Sequence, residues 1–280
     1  MTTRESGTQS LIKNGVWDSR CWRRGLLCQP NQTIRVAYYC AAVSLAAMMA
    51  SSPAAAQFAC TVTATDSTCT NTGNATTLKV NTANGTNQNA TTTNSGTAVG
   101  FESFTSGGGN ATVTNSGANS MFGLFAETDS GGNATITNTG SNSGGFTAIT
   151  GGNNSSITET NAGSNTIGSN NNGGIGASTS GANSSITITN SGTNTLGISA
   201  ETQGANSGIT LTNSGSNTGG LTVTTFGLAS DVTVLNSGSN SNGIFGAAVS
   251  GNATVINSGS NDRGMGAATG IGNHCRQFRH

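Results

Sequence analysis

The stretch Gly181-Ala182-Asn183-Ser184-Ser185-Ile186-Thr187-Ile188-Thr189-Asn190-Ser191-Gly192-Thr193-Asn194-Thr195 returns 23 residues later as Gly204-Ala205-Asn206-Ser207-Gly208-Ile209-Thr210-Leu211-Thr212-Asn213-Ser214-Gly215-Ser216-Asn217-Thr218. Its Ile-Thr-Ile-Thr-Asn core alternates apolar and polar residues with period two, the pattern of a strand with one buried face. The Asn-x-Gly that closes it marks a frame, with Asn at Asn71, Asn94, Asn115, Asn138, Asn161, Asn190, Asn213, Asn236 and Asn257. The intervals are 23, 21, 23, 23, 29, 23, 23 and 21 residues. The long interval carries six extra residues around 169–174, in an Asn/Gly-rich stretch that reads as a loop inserted into an intact repeat.

Alignment on the framing Asn exposes columns. Two residues before it stand Cys69, Thr92, Val113, Ile136, Glu159, Ile188, Leu211, Val234 and Val255. Four before it stand Ser67, Ala90, Ala111, Ala134, Ile157, Ile186, Ile209, Val232 and Ala253. The alternate positions are Thr in 16 of 18 cases, Leu235 and Ile256 being the departures, so Thr faces outward. Glu159 is the one carboxylate in an inward column, and the expectation is a local bulge or a carboxylate held near its solvated turn. A second strand begins eight residues after the Asn at Phe146, Ile198, Leu221, Ile244 and Met265, and at Ile175 once the insertion is discounted. Between the strands, the Gly two after the framing Asn and the Asn four after it read as turn residues, since both tolerate positive φ. A unit of strand, turn, strand and turn cannot bury its apolar face alone, but stacked copies share a continuous thin core. The sequence therefore predicts an all-β, right-handed parallel β-solenoid of about nine coils, with coils about 4.8 Å apart and a rod of about 43 Å. The framing Asn side chains should point inward and form an amide ladder.

The rest of the composition fits a thin core. Leu, Ile, Val and Phe make up 46 of 280 residues, Gly alone 42, and only 7% of the chain is charged. No Lys/Arg patch is available to neutralise phosphates, so nucleic acid is not an expected partner. Residues 1–56 stand apart, with both Trp, both Tyr, both Pro and six of the ten basic residues. A basic region ending at Arg35, an apolar run over 36–50 and Pro53-Ala54-Ala55-Ala56 read as a long signal peptide cleaved after Ala56. A cell-surface or secreted protein follows, which meets membrane only during export. The domain reading is then leader 1–56, N-terminal cap 57–70, solenoid 71–270 and an atypical basic tail 271–280. Beyond the leader, four basic residues oppose eight acidic ones. Cys60 and Cys69 enclose eight residues in the cap, a spacing that reads as a disulfide in an oxidising compartment.

Chemistry on the scaffold is sparse, and the expectation is a protein without catalytic site, cofactor or metal. His274 and His280 are the only His, both in the tail, so no Ser–His or Cys–His arrangement sits on the repeats. Calcium-binding solenoid repeats need a periodic Asp that is missing here. Glu127 and Asp129, two apart on an expected strand, would lie about 7 Å apart. Such a pair suits inverting glycoside hydrolysis, but no Arg, Lys or aromatic platform accompanies it. The regular exposed feature is the outward pair of Thr columns, Thr91/Thr93, Thr112/Thr114, Thr135/Thr137, Thr158/Thr160, Thr187/Thr189 and Thr210/Thr212. Such an array is similar to the faces of ice-binding solenoids. Thr is also the polar residue that best fits an exposed strand.

The units Gly181–Thr195 and Gly204–Thr218, with the long leader, resemble the passenger regions of Gram-negative autotransporters and related adhesin-like surface proteins. The resemblance covers about residues 70–270 and implies display at, or release from, the outer surface, with an unidentified host, matrix or surface ligand. It also implies an outer-membrane β-barrel, and no stretch of this sequence reads as one. A truncated passenger remnant without activity is the alternative, and a surface or ice binder a further one.

Overall fold

A computed structural model describes residues 58–166 and 174–270, and the backbone of Cys275–Arg279. The leader, its cleavage point and most of the 169–174 insertion lie outside the described residues.

Successive repeats coil into a parallel β-solenoid with three faces. One coil contributes Ile186–Asn190 to sheet A, Thr193–Asn194 to sheet B and Ile198–Thr202 to sheet C, and the next coil repeats the pattern. Among the described residues sheet A has 11 strands, sheet B 8 and sheet C 9. Two of these faces are the strands expected from the alternation. The third, sheet B, is built from two-residue strands, too short to show a period in sequence. Parallel stacking begins with Asp66–Asn71, and every framing Asn from Asn71 to Asn257 stands opposite the next. The 21-residue and 29-residue intervals leave that register unchanged. Length differences are absorbed in corners, because a one-residue slip in a strand would turn its apolar side chains to water. At the far end Cys275–Arg279 adds a further parallel strand to sheet A, paired with Ala253–Asn257.

The framing Asn side chains are bonded as expected, buried from Asn71 to Asn236 and half-buried at Asn257. Each Nδ2 donates to the Oδ1 of the Asn one coil on, from Asn71 through Asn257, at 2.6–2.9 Å. The same nitrogen reaches a backbone carbonyl of sheet B in that next coil, as from Asn115 to Ser141 at 3.0 Å and from Asn161 to Thr193 at 3.0 Å. The ladder thus ties sheet A to sheet B at every corner.

Two turn assignments change. The second Asn column does not sit in solvated turns. Asn119, Asn142, Asn165, Asn194, Asn217 and Asn240 are buried and, with Asn261, form a second ladder at 2.6–2.8 Å. The framing Gly column is not there for positive φ either. A Cβ on Gly140 would lie 2.0 Å from the Gly117 carbonyl oxygen, and the same clash recurs from Gly96 to Gly259. These glycines let consecutive corners touch backbone to backbone. Left-handed residues occur instead at Gly123 and Gly145, just before sheet C, and at the corner from sheet C to sheet A, as at Asn154, Asn183, Asn206 and Ala229. There a column of serines closes the coil: the amides of Ser155, Ser184 and Ser207 donate to the Oγ of Ser184, Ser207 and Ser230 at 3.1, 3.0 and 2.9 Å.

The first coil is covered by a short antiparallel strand, Ala59–Val62, which pairs with Asp66–Asn71 and sets Cys60 opposite Cys69. The two cysteines are joined in a disulfide, and Cys69 is buried in the inward column as expected. Phe58 completes the lid, with its ring 5.7 Å from that of Phe101. Strand Ala59–Val62, exposed at all four residues, becomes the edge of sheet A at this end, short and antiparallel where the coils behind it are parallel.

The glycine stack yields a test. Gly140→Ala should destabilise the protein by at least about 1–3 kcal/mol, since neither backbone can move without breaking the stack. Gly264→Ala, with no atom within 4 Å of its Cβ position and no positive φ, should leave the melting midpoint unchanged or slightly raised. Urea denaturation of both variants measures the difference.

Candidate functional site

The outward surface of sheet A is the regular exposed feature of the rod. Thr91, Thr112, Thr135, Thr158, Thr187 and Thr210 follow one another as Cα partners, as do Thr93, Thr114, Thr137, Thr160, Thr189 and Thr212. The first column continues to Thr68 in one direction and to Thr233 and Thr254 in the other. The second begins at Thr70 and gives way to Leu235 and Ile256. Thr158, Thr187 and Thr210 are exposed, while the second column is exposed at Thr70 and half-buried from Thr93 to Thr212.

Spacing along the rod is about 4.8 Å and along a strand about 7 Å. The insertion does not interrupt this face. In the chain it falls between Ser164–Asn165 of sheet B and Ile175–Thr179 of sheet C, neither of which belongs to sheet A. Each Thr offers a methyl and a hydroxyl, so the face is flat, uncharged and able to donate and accept hydrogen bonds at regular intervals.

The carboxylates arrange differently from the sequence expectation. Glu127 lies on the outer side of strand Leu124–Thr128, but Asp129 is past the strand end in an exposed turn. Glu127 is instead the diagonal neighbour of Glu102, since Glu102 is the partner of Phe125, and Phe104 of Glu127. Two phenylalanines and two glutamates thus alternate at the corners of one patch on sheet C. Burial, and secondarily the charge of Glu127, push the Glu102 carboxyl up to about 7. Sequence alignment missed Glu102 because the strand onset drifts: Phe101 falls seven residues after Asn94 and Leu124 nine after Asn115. Asp66, the first residue of strand Asp66–Asn71, is half-buried, and hydrogen bonds from Asn89 and Thr65 hold its carboxyl below the usual range.

Glu159 neither bulges nor reaches a turn. It sits in register between Ile136 and Ile188, is 1% exposed, and neither carboxyl oxygen has a hydrogen-bond partner. Burial drives its carboxyl well above the ordinary range; the Ala148 amide approaches without hydrogen-bond geometry and offsets this only in part. Among the described residues no three of His, Cys, Asp and Glu gather as a metal-ligand group, and no helix is long and apolar enough to cross a membrane.

The fold and its exposed columns define a parallel β-solenoid with a threonine-faced sheet. Comparison with protein-family models, with curated proteins and with solved structures finds no match to this chain.

The acidic patch makes a specific prediction. Glu102 should titrate near 7 in carboxyl-detected NMR. Glu127→Gln should lower that value only in part, because burial is the larger cause. A Glu102 midpoint in the ordinary range, about 4.3, would contradict the burial.

Proposed function

We propose that the chain is an exported, non-enzymatic, adhesin-like structural and binding protein, displayed on the cell surface or secreted. The observation that carries this reading is the common register of the coils. Because all nine framing Asn stand opposite one another, the Asn-x-Gly corners and the first Thr column of sheet A recur along the rod. A weak contact made once can then be made many times by a single rigid body, and linked contacts multiply affinity without any strong single site. The Cys60–Cys69 disulfide supports an oxidising compartment, where such bonds persist. Export through the leader and outer-surface display, as in the passenger regions the repeats resemble, agree with that compartment.

Within this reading the Thr face is a wall that keeps the strands soluble and unaggregated, and attachment uses corners and the 169–174 insertion. A second reading has one observation in its favour: the Thr columns run unbroken past the insertion, so the face has the regularity needed to meet an ordered surface such as ice.

Expression of the full chain in a Gram-negative host should give a mature N-terminus at Gln57 and a mass two hydrogens below the reduced form. Retention of the leader in the cytoplasm with free Cys60 and Cys69 would defeat the export reading. Replacing Thr135, Thr158 and Thr187 by Lys should leave attachment to matrix-coated surfaces unchanged, whereas deleting residues 169–174 should reduce it. Loss of attachment in the Lys variant, or thermal hysteresis in the parent, transfers the binding role to the Thr face.

A further inference from the structure

Glu159 occupies the middle of the rod, and its surroundings are unlike those of any other carboxylate described. The strands packed against Ile157–Asn161 are Ala134–Asn138 and Ile186–Asn190 in sheet A and Phe146–Thr150 and Ile175–Thr179 in sheet C. None of the four carries an ionisable or charged residue, so nothing that faces Glu159 can pair with it. The nearest ionisable residues in sequence are Asp129 and Glu201. No counter-charge stabilises an anion there, and an unpaired buried charge costs far more than a buried neutral acid.

The same stretch is the least satisfied part of the interior. Thr150 Oγ1, Ser155 Oγ and Thr179 Oγ1 are buried without hydrogen-bond partners, alongside both Glu159 oxygens. At equivalent corners the hydroxyls are used: Thr128 donates to Gly132 O, Thr202 to Ser207 O and Thr225 to Ser230 O. The coil running from Thr150 to Thr179 therefore joins its neighbours with fewer polar contacts and one carboxyl that must stay neutral.

We propose that Glu159 is a proton-held joint, at which the rod stays closed while the carboxyl is protonated and opens locally when it ionises. In a solenoid each coil touches only its neighbours, so weakening one coil divides the rod into blocks on either side. The joint lies beside the insertion, whose anchoring strands Ser164–Asn165 and Ile175–Thr179 belong to the same coil. Opening would release that coil while leaving both flanking blocks folded.

The sign of the linkage is fixed by the raised folded-state pKa. Below about pH 4.3, the ordinary Glu value, folded and unfolded forms both hold the proton and the joint is at full strength. Above it the open form releases its proton while the closed form keeps it. The opening constant then rises about tenfold per pH unit until the folded pKa is reached. Glu102 shifts in the same direction, so the measurement compares proteins that differ only at position 159.

Hydrogen exchange of the full chain by mass spectrometry, in the regime where reclosing outpaces exchange, reads the opening of Ile157–Asn161 directly. The wild type and Glu159→Gln should open to within about threefold of each other near pH 4.5, and from there the wild-type excess should climb about tenfold per pH unit until it levels off at the folded-state pKa. The excess should be confined to the coil 150–190. Glu159→Ile should remove the pH-dependent opening as Glu159→Gln does, and gives a second comparison if Gln perturbs packing. A wild-type to Gln ratio that stays within threefold over this range overturns the joint, and so does an excess spread evenly along the whole rod.

Discussion

The side-chain amide is a short neutral group that carries a donor and an acceptor at opposite sides of one plane, so it can bond to a translated copy of itself. In this rod the translation is the strand spacing of a sheet, about 4.8 Å. The Asn71-to-Asn257 ladder turns that coincidence into a rule: each amide is satisfied only if the same residue of the next coil stands opposite. A hydrogen bond of this kind contributes only about 0.5–1.5 kcal/mol net, but leaving a buried amide unpaired costs about 1–3 kcal/mol. The ladder therefore acts less as glue than as a penalty on every wrong register. Asn119 shows the limit of the rule. The preceding coil has Ala98 in that column, and Asn119 Oδ1 is left without a partner.

With register enforced, little apolar material is needed. Each coil supplies only a few large residues, such as Ile186 and Ile188 from sheet A and Ile198 from sheet C, and these are nearly inaccessible. Stacking lets each bury itself against copies above and below, so a composition too poor for a globule still closes a core. The glycine corners follow from the same closeness, since no side chain fits where one coil's carbonyl rests on the next. The chain's low charge is consistent with this stacking too: like charges in one column would face each other at every coil. Glu102 and Glu127 avoid that by lying on a diagonal.

What distinguishes one coil from another lies in the departures from the repeat. The Thr columns are the repeat itself and need no selection beyond solubility and strand geometry. Leu235 and Ile256, the Phe104/Phe125 patch, the insertion and Glu159 are the departures, and each changes a surface or a joint without disturbing the register. Nearest-neighbour architecture makes this tolerable, because a fault in one coil is felt mainly by two others.

The sequence by itself determined which residues are equivalent. Fixed spacing from the framing Asn yielded the coils, the inward and outward columns of sheet A, the cysteines that meet at the cap, and the place where six residues were added. It could not determine where along each unit the chain bends, because bending is set by contact with the coils above and below. The second Asn column illustrates this: Asn194 has the local chemistry of a turn, and only its neighbours Asn165 and Asn217 make it a buried ladder residue in a two-residue strand. Gly140 likewise reads as a positive-φ turn until the Gly117 carbonyl is seen beneath it. The sheet C strand starts one place early after Asn94 and one place late after Asn115, enough to hide Glu102 beside Glu127. Glu159 was legible as inward, but whether its carboxyl could escape to water depended on backbone continuity between Ile136 and Ile188. Tertiary stacking alone decides that continuity, because it is a property of three coils together and not of the five residues that carry the glutamate.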